Sequence, residues 1–309
     1  MSTPAIGSQA SRLAKDFTLK GVQATRMPKF CYGTAWKKDK SADLVYRALK
    51  AGFRGIDTAA QPKHYNEQGV ASGFRKAVSE GIVTRQDVFV QTKFTPVSGQ
   101  SHSVPYDVNA PLDQQVHQSV QSSLQNFTID GQDPYLDSIV LHSPLETIQD
   151  TFTVWKAFES YYPHTIRNLG ISNAPIEYIE AIHQEMAVKP AVAQNRFFHR
   201  EGFAAPIRSF CRDNDIIFQS FWTSTGNPRL VQSQPVVDVA EKAGVELAAA
   251  YYCLVLGLGN VTILNGTTSD EHMQQDLQGL ETVGAWSEAE GAADWKVALE
   301  TFKQLIREP

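Results

Sequence analysis

Short apolar runs recur along the chain and alternate with longer segments of helical spacing. Val, Ile and Phe dominate eight such runs, and runs of this length and composition are typical of buried strands. They cover residues 30–33, 53–57, 87–92, 136–142, 166–171, 191–194, 216–220 and 261–264. After the first run, an apolar stripe within residues 44–49 is followed by Gly52, which is the pattern of an amphipathic helix that ends at a glycine.

The alternation of strands and helices decides the predicted fold class. It predicts parallel strands joined by right-handed crossovers, and eight repeats favour closure into a barrel over an open sheet. No G-x-G-x-x-G motif follows an early strand, which counts against a Rossmann domain. A chain of 309 residues that is 42% hydrophobic is long enough for one large core, and no linker divides it. We therefore predict a single α/β domain over residues 1–309, a (β/α)8 TIM barrel, with residues 1–14 flexible.

Two further elements are expected outside the barrel. Residues 17–20 and 27–30 flank the sequence GVQAT and predict an N-terminal hairpin. Near the other end, Ser287 and Glu290 have the spacing of a capping box, which predicts the start of an amphipathic helix. The apolar positions of this extra C-terminal helix are Trp295, Val297, Leu299, Phe302, Leu305 and Ile306.

Four polar residues lie at or just beyond the ends of predicted strands: Asp57, Tyr65, Lys93 and His142. A parallel barrel gathers these ends into one mouth, although each residue taken singly is more often structural. A phenol has a pKa of about 10, and an adjacent lysine ammonium lowers it, so Tyr65 beside Lys93 can donate a proton to a carbonyl. Pairing with Asp57 keeps the lysine charged and fixed. A neutral His142 positions the substrate oxygen.

A second group of polar residues ends the following strands: Ser172, Asn173 and Gln194. Two amide side chains and a hydroxyl supply the donors and acceptors that another amide group needs. With this group the ordered motifs are GTAW, GIDTA followed by YNE, TK, LHSP, GISN and a strand-ending Gln, over roughly residues 15 to 280. In this order they resemble the aldo-keto reductases. The resemblance implies a (β/α)8 barrel, reduction of an aldehyde or ketone by hydride transfer from a nicotinamide cofactor, and Tyr65 as the general acid of a tetrad with Asp57, Lys93 and His142.

The resemblance also implies the cofactor contacts. Ser172, Asn173 and Gln194 hold the nicotinamide carboxamide, and the other contacts fall at Gly33, Thr34, Asp57, Phe221, Gly266, Thr267, Thr268, His272, Gln275 and Asp276.

The phosphate segment departs from the family. In NGTTSDEHM, Gly266 and His272 stand where the family has a lysine and an arginine that grip the 2′-phosphate of NADP. Losing two permanent cations weakens this site, which leaves the two threonines, backbone N–H groups at a helix start and His272. NADPH is the predicted cofactor, with NADH as the alternative.

The catalytic spacing also departs from the family. Tyr65 follows Asp57 by eight positions where the pattern usually has five, because QPKH is inserted. Loop insertions cost little, so we expect the loop to bulge while the phenol stays in place. His64, next to the tyrosine, is a rival acid.

The substrate pocket is expected to be open and aromatic. Trp36 and Phe94 are the predicted apolar walls, and Ser143 replaces the bulky aromatic residue that often follows the catalytic histidine. Phe221 replaces the family's tyrosine as the ring that stacks on the nicotinamide, with Trp222 as the alternative. Such a pocket admits a fairly large carbonyl compound, and the polar segment 95–111 is expected to shape its entrance.

Charge and composition exclude several other functions. A net charge of −5 and scattered cations give no nucleic-acid surface. No apolar stretch approaches the length of a membrane span and the opening segment lacks a signal peptide, so we expect a cytoplasmic protein. Cys31, Cys211 and Cys253 are expected to be buried free thiols, and no histidine spacing predicts a metal site. A monomer is the default, because a barrel closes without a partner.

Two other functions stay open at this point. The barrel can bind a nicotinamide cofactor as a sensor or interaction subunit without turnover. Alternatively, Lys93 can form a Schiff base in a lyase, as strand-end lysines do when their pKa falls.

Overall fold

The computed structural model describes residues 11–101 and 103–308 of the chain. Within these residues the strands are β1 Phe17–Leu19, β2 Thr25–Met27, β3 Phe30–Gly33, β4 Gly55–Asp57, β5 Phe89–Phe94, β6 Ser138–Leu141, β7 Leu169–Ser172, β8 Val192–Arg196, β9 Ile217–Phe221 and β10 Val261–Asn265. Strands β3 to β10 are parallel and close into a barrel in which β10 pairs with both β3 and β9. The eight predicted barrel strands and the predicted fold class are confirmed.

Helices surround the barrel. They are α1 Ser41–Ala51, α2 Glu67–Ser79, α3 Leu112–Asn126, α4 Ile148–Glu159, α5 Ile176–Glu185, α6 Ala205–Asp213, α7 Pro228–Val231, α8 Gln234–Ala243, α9 Leu247–Leu256, α10 Asp270–Ser287 and α11 Ala292–Leu305. Helix α1 buries the apolar stripe expected from the sequence and ends at Gly52, whose φ of 121° favours glycine. Asn66 and Ser269 cap α2 and α10 by accepting backbone N–H groups. In the described ranges, no helix combines the length and apolar character needed to cross a membrane.

The N-terminal hairpin covers the end of the barrel where the strands begin. Strands β1 and β2 are antiparallel, with Phe17 opposite Met27. The second arm ends at residue 27 and not at 30 as predicted, because Pro28 lacks an N–H group and residue 30 already begins β3. Buried Leu19 and Met27 pack on residues near the strand starts, including Phe89.

The C-terminal helix α11 is confirmed, but its predicted cap is wrong. Ser287 is the last residue of α10 and donates a hydrogen bond to the carbonyl oxygen of Gly284 at 2.9 Å. Helix α11 starts after Gly291, which has no side chain for capping. Phe302 is buried, whereas Val297 is 67% exposed, so one face of the helix packs on the domain.

The expected flexibility of residues 1–14 stays a prediction, and residues 1–10 lie outside the described part of the chain. Ser11, Leu13 and Ala14 are buried. A Cβ atom at Gly284 would lie 2.0 Å from the Ser11 hydroxyl oxygen, so this glycine permits the close approach of the segment to α10.

Candidate active site

A cavity of about 1080 Å³ opens where the barrel strands end. The residues predicted as site residues that line it are Gly33, Trp36, Asp57, Tyr65, His142, Ser143, Asn173, Gln194, Phe221, Trp222, Gly266, Thr267, His272, Gln275 and Asp276. They follow different strands and meet because parallel strands all end at the same mouth.

A buried ion pair forms the floor of this cavity. The Lys93 ammonium lies 2.6 Å from a carboxylate oxygen of Asp57, and the side chains are 0% and 2% exposed. Lys93 also donates to the Thr58 carbonyl oxygen at 2.8 Å. Burial lowers the pKa of Lys93, and the charge of Asp57 opposes this shift. Because the lysine is buried behind other residues and paired, it is poorly placed to attack a substrate as a Schiff-base nucleophile.

Tyr65 lies above this pair. The Lys93 ammonium is 5.1 Å from the centroid of the phenol ring. Burial, and then the charge of Asp57, raise the pKa of Tyr65. This corrects the expectation that Lys93 lowers that pKa, and the reason is that the ammonium faces Asp57 and a carbonyl oxygen. The phenol therefore keeps its proton at neutral pH and is a donor.

The inserted segment 61–64 turns back on itself and leaves Tyr65 at the mouth of the barrel. The backbone N–H of Tyr65 donates to the Gln61 carbonyl oxygen at 3.0 Å. Inserted His64 stacks on Trp36, with ring centroids 3.9 Å apart. The ring of Tyr65 lies edge-on to that of His142, with centroids 5.8 Å apart.

His142 is held by a neighbour that sequence reasoning missed. The Thr95 hydroxyl oxygen is 2.6 Å from Nδ1 of the imidazole. Burial, and then the charge of Lys93, lower the pKa of His142 to about 3, so the imidazole is neutral, as expected from the sequence. The signal for Thr95 was its place two residues after Lys93, at the start of the 95–111 segment.

That segment is tied to the inserted loop. The Gln61 side chain donates to the Gly99 carbonyl oxygen at 2.7 Å, and Tyr106 donates to that of Thr95, also at 2.7 Å. Gly99 and Thr95 line the cavity, so the segment shapes its entrance.

The residues predicted to hold the nicotinamide carboxamide are grouped around Ser172, which is buried. Its hydroxyl donates to the Gln194 carbonyl oxygen at 2.8 Å, and Asn173 donates to the Ser172 hydroxyl at 3.2 Å and to the His142 carbonyl oxygen at 2.9 Å. Asn173 is exposed, with a φ of 52°. Amide and hydroxyl groups at the cavity floor fit a carboxamide, which needs donors and acceptors together. The donor set therefore fits the nicotinamide end of a cofactor.

At the other end of the cavity, a cation from a different element lies beside Gly266. The Lys37 ammonium donates to the carbonyl oxygen of Gly266. Arg47 pairs with Asp270 at 2.7 Å and lies 3.4 Å from the Thr268 carbonyl oxygen. The sequence signal for Lys37 was its place directly after Trp36.

Five expected site residues do not line the cavity: Lys93 and Ser172, which are buried beneath it, and Phe94, Thr34 and Thr268. Phe94 is fully buried and packs against Tyr106 and Phe158, with ring centroids 5.5 and 6.4 Å apart. Side chains alternate along a strand, so Lys93 faces the barrel interior and Phe94 faces the helices. Phe94 as a pocket wall is therefore wrong. Thr34 is buried and donates to the Asp57 carbonyl oxygen at 2.9 Å, and Thr268 is exposed outside the lining.

Two tryptophans stand at the rim of the cavity. Trp36 is 65% and Trp222 50% exposed, and their φ angles are 65° and 57°. The guanidinium of Arg196 lies 4.8 Å from the Trp222 ring centroid. A positive φ is uncommon for residues other than glycine, and residues with such unusual backbone angles cluster at active and ligand-binding sites.

Among the residues that the structure describes, no three His, Cys, Asp or Glu side chains are grouped to hold a metal ion. The three cysteines are free and buried, as predicted.

Comparison with known proteins adds independent findings. Residues 29–283 match the model of the aldo/keto reductase family. The glyoxal reductase of Bacillus subtilis (strain 168) is 27% identical over 250 residues, which are 80% of this chain and 81% of that protein. An aldo/keto reductase of Brucella melitensis has a similar structure, with a TM-score of 0.72 at 21% identity over 93% of this chain and 99% of that one. A Bombyx mori aldo-keto reductase in complex with NADP gives a TM-score of 0.69 at 19% identity over 88% and 92% of the two chains.

Proposed function

Because the chain belongs to the aldo/keto reductase family, we propose that it reduces an aldehyde or ketone to the alcohol with NADPH, and that Tyr65 donates the proton. The observation that carries this proposal is the buried Asp57–Lys93 pair beneath Tyr65, with a neutral His142 in the same cavity. The predicted sensor role has no feature of this kind in its favour. The monomeric and cytoplasmic state expected from the sequence stays a prediction.

Each catalytic side chain has a separate task. Tyr65 holds its proton next to the position of the substrate oxygen and gives it up as that oxygen becomes an alkoxide. Asp57 keeps Lys93 charged and fixed beneath the phenol ring. When the Thr95 hydroxyl donates to Nδ1 of His142, the neutral imidazole carries its proton on Nε2, where it donates to the substrate oxygen.

The cofactor would lie along the cavity from Gln194 to Thr267. Ser172, Asn173 and Gln194 would hold the carboxamide, Phe221 would stack on the nicotinamide ring, and Lys37 would face the phosphates. When bound, a reduced nicotinamide supplies the hydride that the carbonyl carbon accepts.

The substrate would enter between Trp36 and Trp222. The relative from Bacillus subtilis is named for a small dicarbonyl, and this cavity has room for larger compounds beside a cofactor. Ser143 leaves the wall next to His142 open, which supports the acceptance of bulky carbonyl compounds.

We expect tryptophan fluorescence titration to give tighter binding of NADPH than of NADH, because the Lys37 ammonium is available to the 2′-phosphate. Replacing Lys37→Gln should weaken NADPH binding about 10- to 100-fold and change NADH binding less, since one charge-assisted contact is worth about 1.5–3 kcal/mol. A panel of aldehydes and ketones is then tested for NADPH oxidation.

Lys63→Gln is the matched control, because this exposed lysine precedes the inserted histidine and does not line the cavity. An equal loss of affinity for NADPH and NADH in the Lys37 variant would show that Lys37 does not recognise the 2′-phosphate. Tight NADPH binding without turnover of any carbonyl would favour the sensor function.

The pH dependence of reduction should be flat. Because the pKa of His142 is lowered to about 3 and that of Tyr65 is raised, neither group changes protonation between pH 5 and 8. We expect kcat at saturating substrate to vary less than about twofold over this range, whereas an ordinary histidine would protonate near pH 6.5. Burial raises the pKa of Asp276, which lines the same cavity, to about 6. Parallel pH profiles of the His64→Ala and Asp276→Asn variants therefore identify the contributions of these two groups, and an inflection near pH 6.5 that persists in both variants would contradict a neutral His142.

A further inference from the structure

Four buried polar side chains form a closed ring of hydrogen bonds inside the barrel: Asp57, Gln91, Gln194 and Gln219. The amide nitrogen of Gln91 donates to Oδ1 of Asp57 at 2.7 Å and to Oε1 of Gln219 at 2.5 Å. The amide nitrogen of Gln194 donates to the same two oxygens, at 3.0 and 2.5 Å. None of the four residues is more than 3% exposed.

The ring uses both N–H groups of the Gln194 side chain. A primary amide carries two N–H groups, and both groups of Gln194 are committed to Asp57 and Gln219. Its remaining polar atom is Oε1, an acceptor, which lies 3.3 Å from the Ser172 hydroxyl. Gln194 lines the cavity, while Gln91 and Gln219 lie beneath the lining.

The ring also opposes the other orientation of this amide. If the Gln194 amide rotated by half a turn, its oxygen would face two acceptors, Oδ1 of Asp57 and Oε1 of Gln219. The arrangement leaves Oε1 of Gln91 and Nε2 of Gln219 without a protein partner among the described residues. Buried polar groups are normally paired, so these two atoms are exceptions within the ring.

We infer that Gln91 and Gln219 are positioning residues that fix the Gln194 amide, so that it presents an acceptor oxygen to the amide nitrogen of the nicotinamide carboxamide. This inference rests on the proposed function, because it concerns how that cofactor is recognised. The same ring holds Oδ1 of Asp57 and leaves Oδ2 for Lys93, which couples recognition of the nicotinamide to the catalytic ion pair.

The Gln219→Met variant tests the inference, because methionine fills the space of glutamine without an acceptor. Removing this acceptor frees the Gln194 amide to rotate and to present an N–H group to the carboxamide. NADPH affinity should fall about tenfold, the value of roughly one buried hydrogen bond. Affinity for adenosine 2′,5′-bisphosphate, which has no nicotinamide, should stay unchanged.

Both ligands are titrated by tryptophan fluorescence against the wild type, and thermal unfolding confirms that each variant is folded. The matched control is Gln115→Met, which removes a buried amide that bonds the Val108 and Ala110 carbonyl oxygens away from the cavity. Gln219→Glu keeps an acceptor oxygen and should retain the wild-type ratio of the two affinities. If Gln219→Met does not fold, Gln91→Met, which removes the other support of the ring, should lower NADPH affinity selectively.

The outcomes separate the inference from the proposed function. A wild-type ratio of the two affinities in folded Gln219→Met overturns the inference. If Gln219→Met does not fold, a wild-type ratio in Gln91→Met overturns it. An equal loss for both ligands also overturns it, because that result describes a general change of the cavity. Wild-type protein that binds adenosine 2′,5′-bisphosphate and NADPH but reduces no carbonyl leaves the inference standing and sinks the proposed activity, whereas no NADPH binding by the wild type sinks both.

Discussion

Replacing Tyr65→Phe should lower the turnover of a carbonyl substrate by about 10²–10⁴-fold, which is the usual contribution of general acid catalysis. The ring of Tyr65 stays in place against His142, so only the proton donor is lost. Cofactor affinity should be unchanged, because the proposed cofactor contacts lie elsewhere in the cavity. Steady-state kinetics and fluorescence titration with NADPH measure the two effects separately.

Tyr46→Phe is the matched control for this prediction. Tyr46 is hydrogen bonded to Glu80 at 2.6 Å on the outside of the barrel, and its loss should leave kcat unchanged. If Tyr65→Phe keeps full turnover and His64→Ala loses it, the inserted histidine is the acid. A parallel loss of cofactor binding would instead assign Tyr65 a structural role.

Replacing Lys93→Met should abolish reduction and also destabilise the protein. The substitution leaves the Asp57 carboxylate buried without its cation, and breaking such a pair costs about 3–5 kcal/mol in the free energy of unfolding. Gln91 and Gln194 still donate hydrogen bonds to Asp57, but these side chains are neutral and compensate only part of its charge. Chemical denaturation of the wild type and the variant measures the difference.

Two further variants make this prediction specific. The double variant Asp57→Asn with Lys93→Met has no unpaired charge, so it should recover much of the lost stability but none of the activity. Lys242→Met breaks a pair of similar length, 2.6 Å from Asp294, whose side chains are each 50% exposed, and it should leave the free energy of unfolding almost unchanged because solvent screens the pair. Equal stability of Lys93→Met and the wild type would show that the buried pair does not support the fold.

Much of the fold follows from local patterns in the sequence. The repeated apolar runs and the helical segments between them carry the periodicity of a parallel barrel, so the eight strands were predicted within a few residues of their observed bounds. The end of β2 and the start of α11 were harder to place, because Pro28 and Gly291 decide them through backbone geometry that apolar spacing does not report.

The sequence by itself determined the class of the site, because residues that end parallel strands meet at one mouth whatever their distance along the chain. Only the tertiary structure decided how these groups act on one another. Burial raises the pKa of Tyr65, and Lys37 reaches Gly266 from the loop that follows β3. Gln91 and Gln219 meet across the barrel, while Phe94 turns away from it. These features depend on strand register, desolvation and contacts between distant residues, and none of the three is written in the local order of residues.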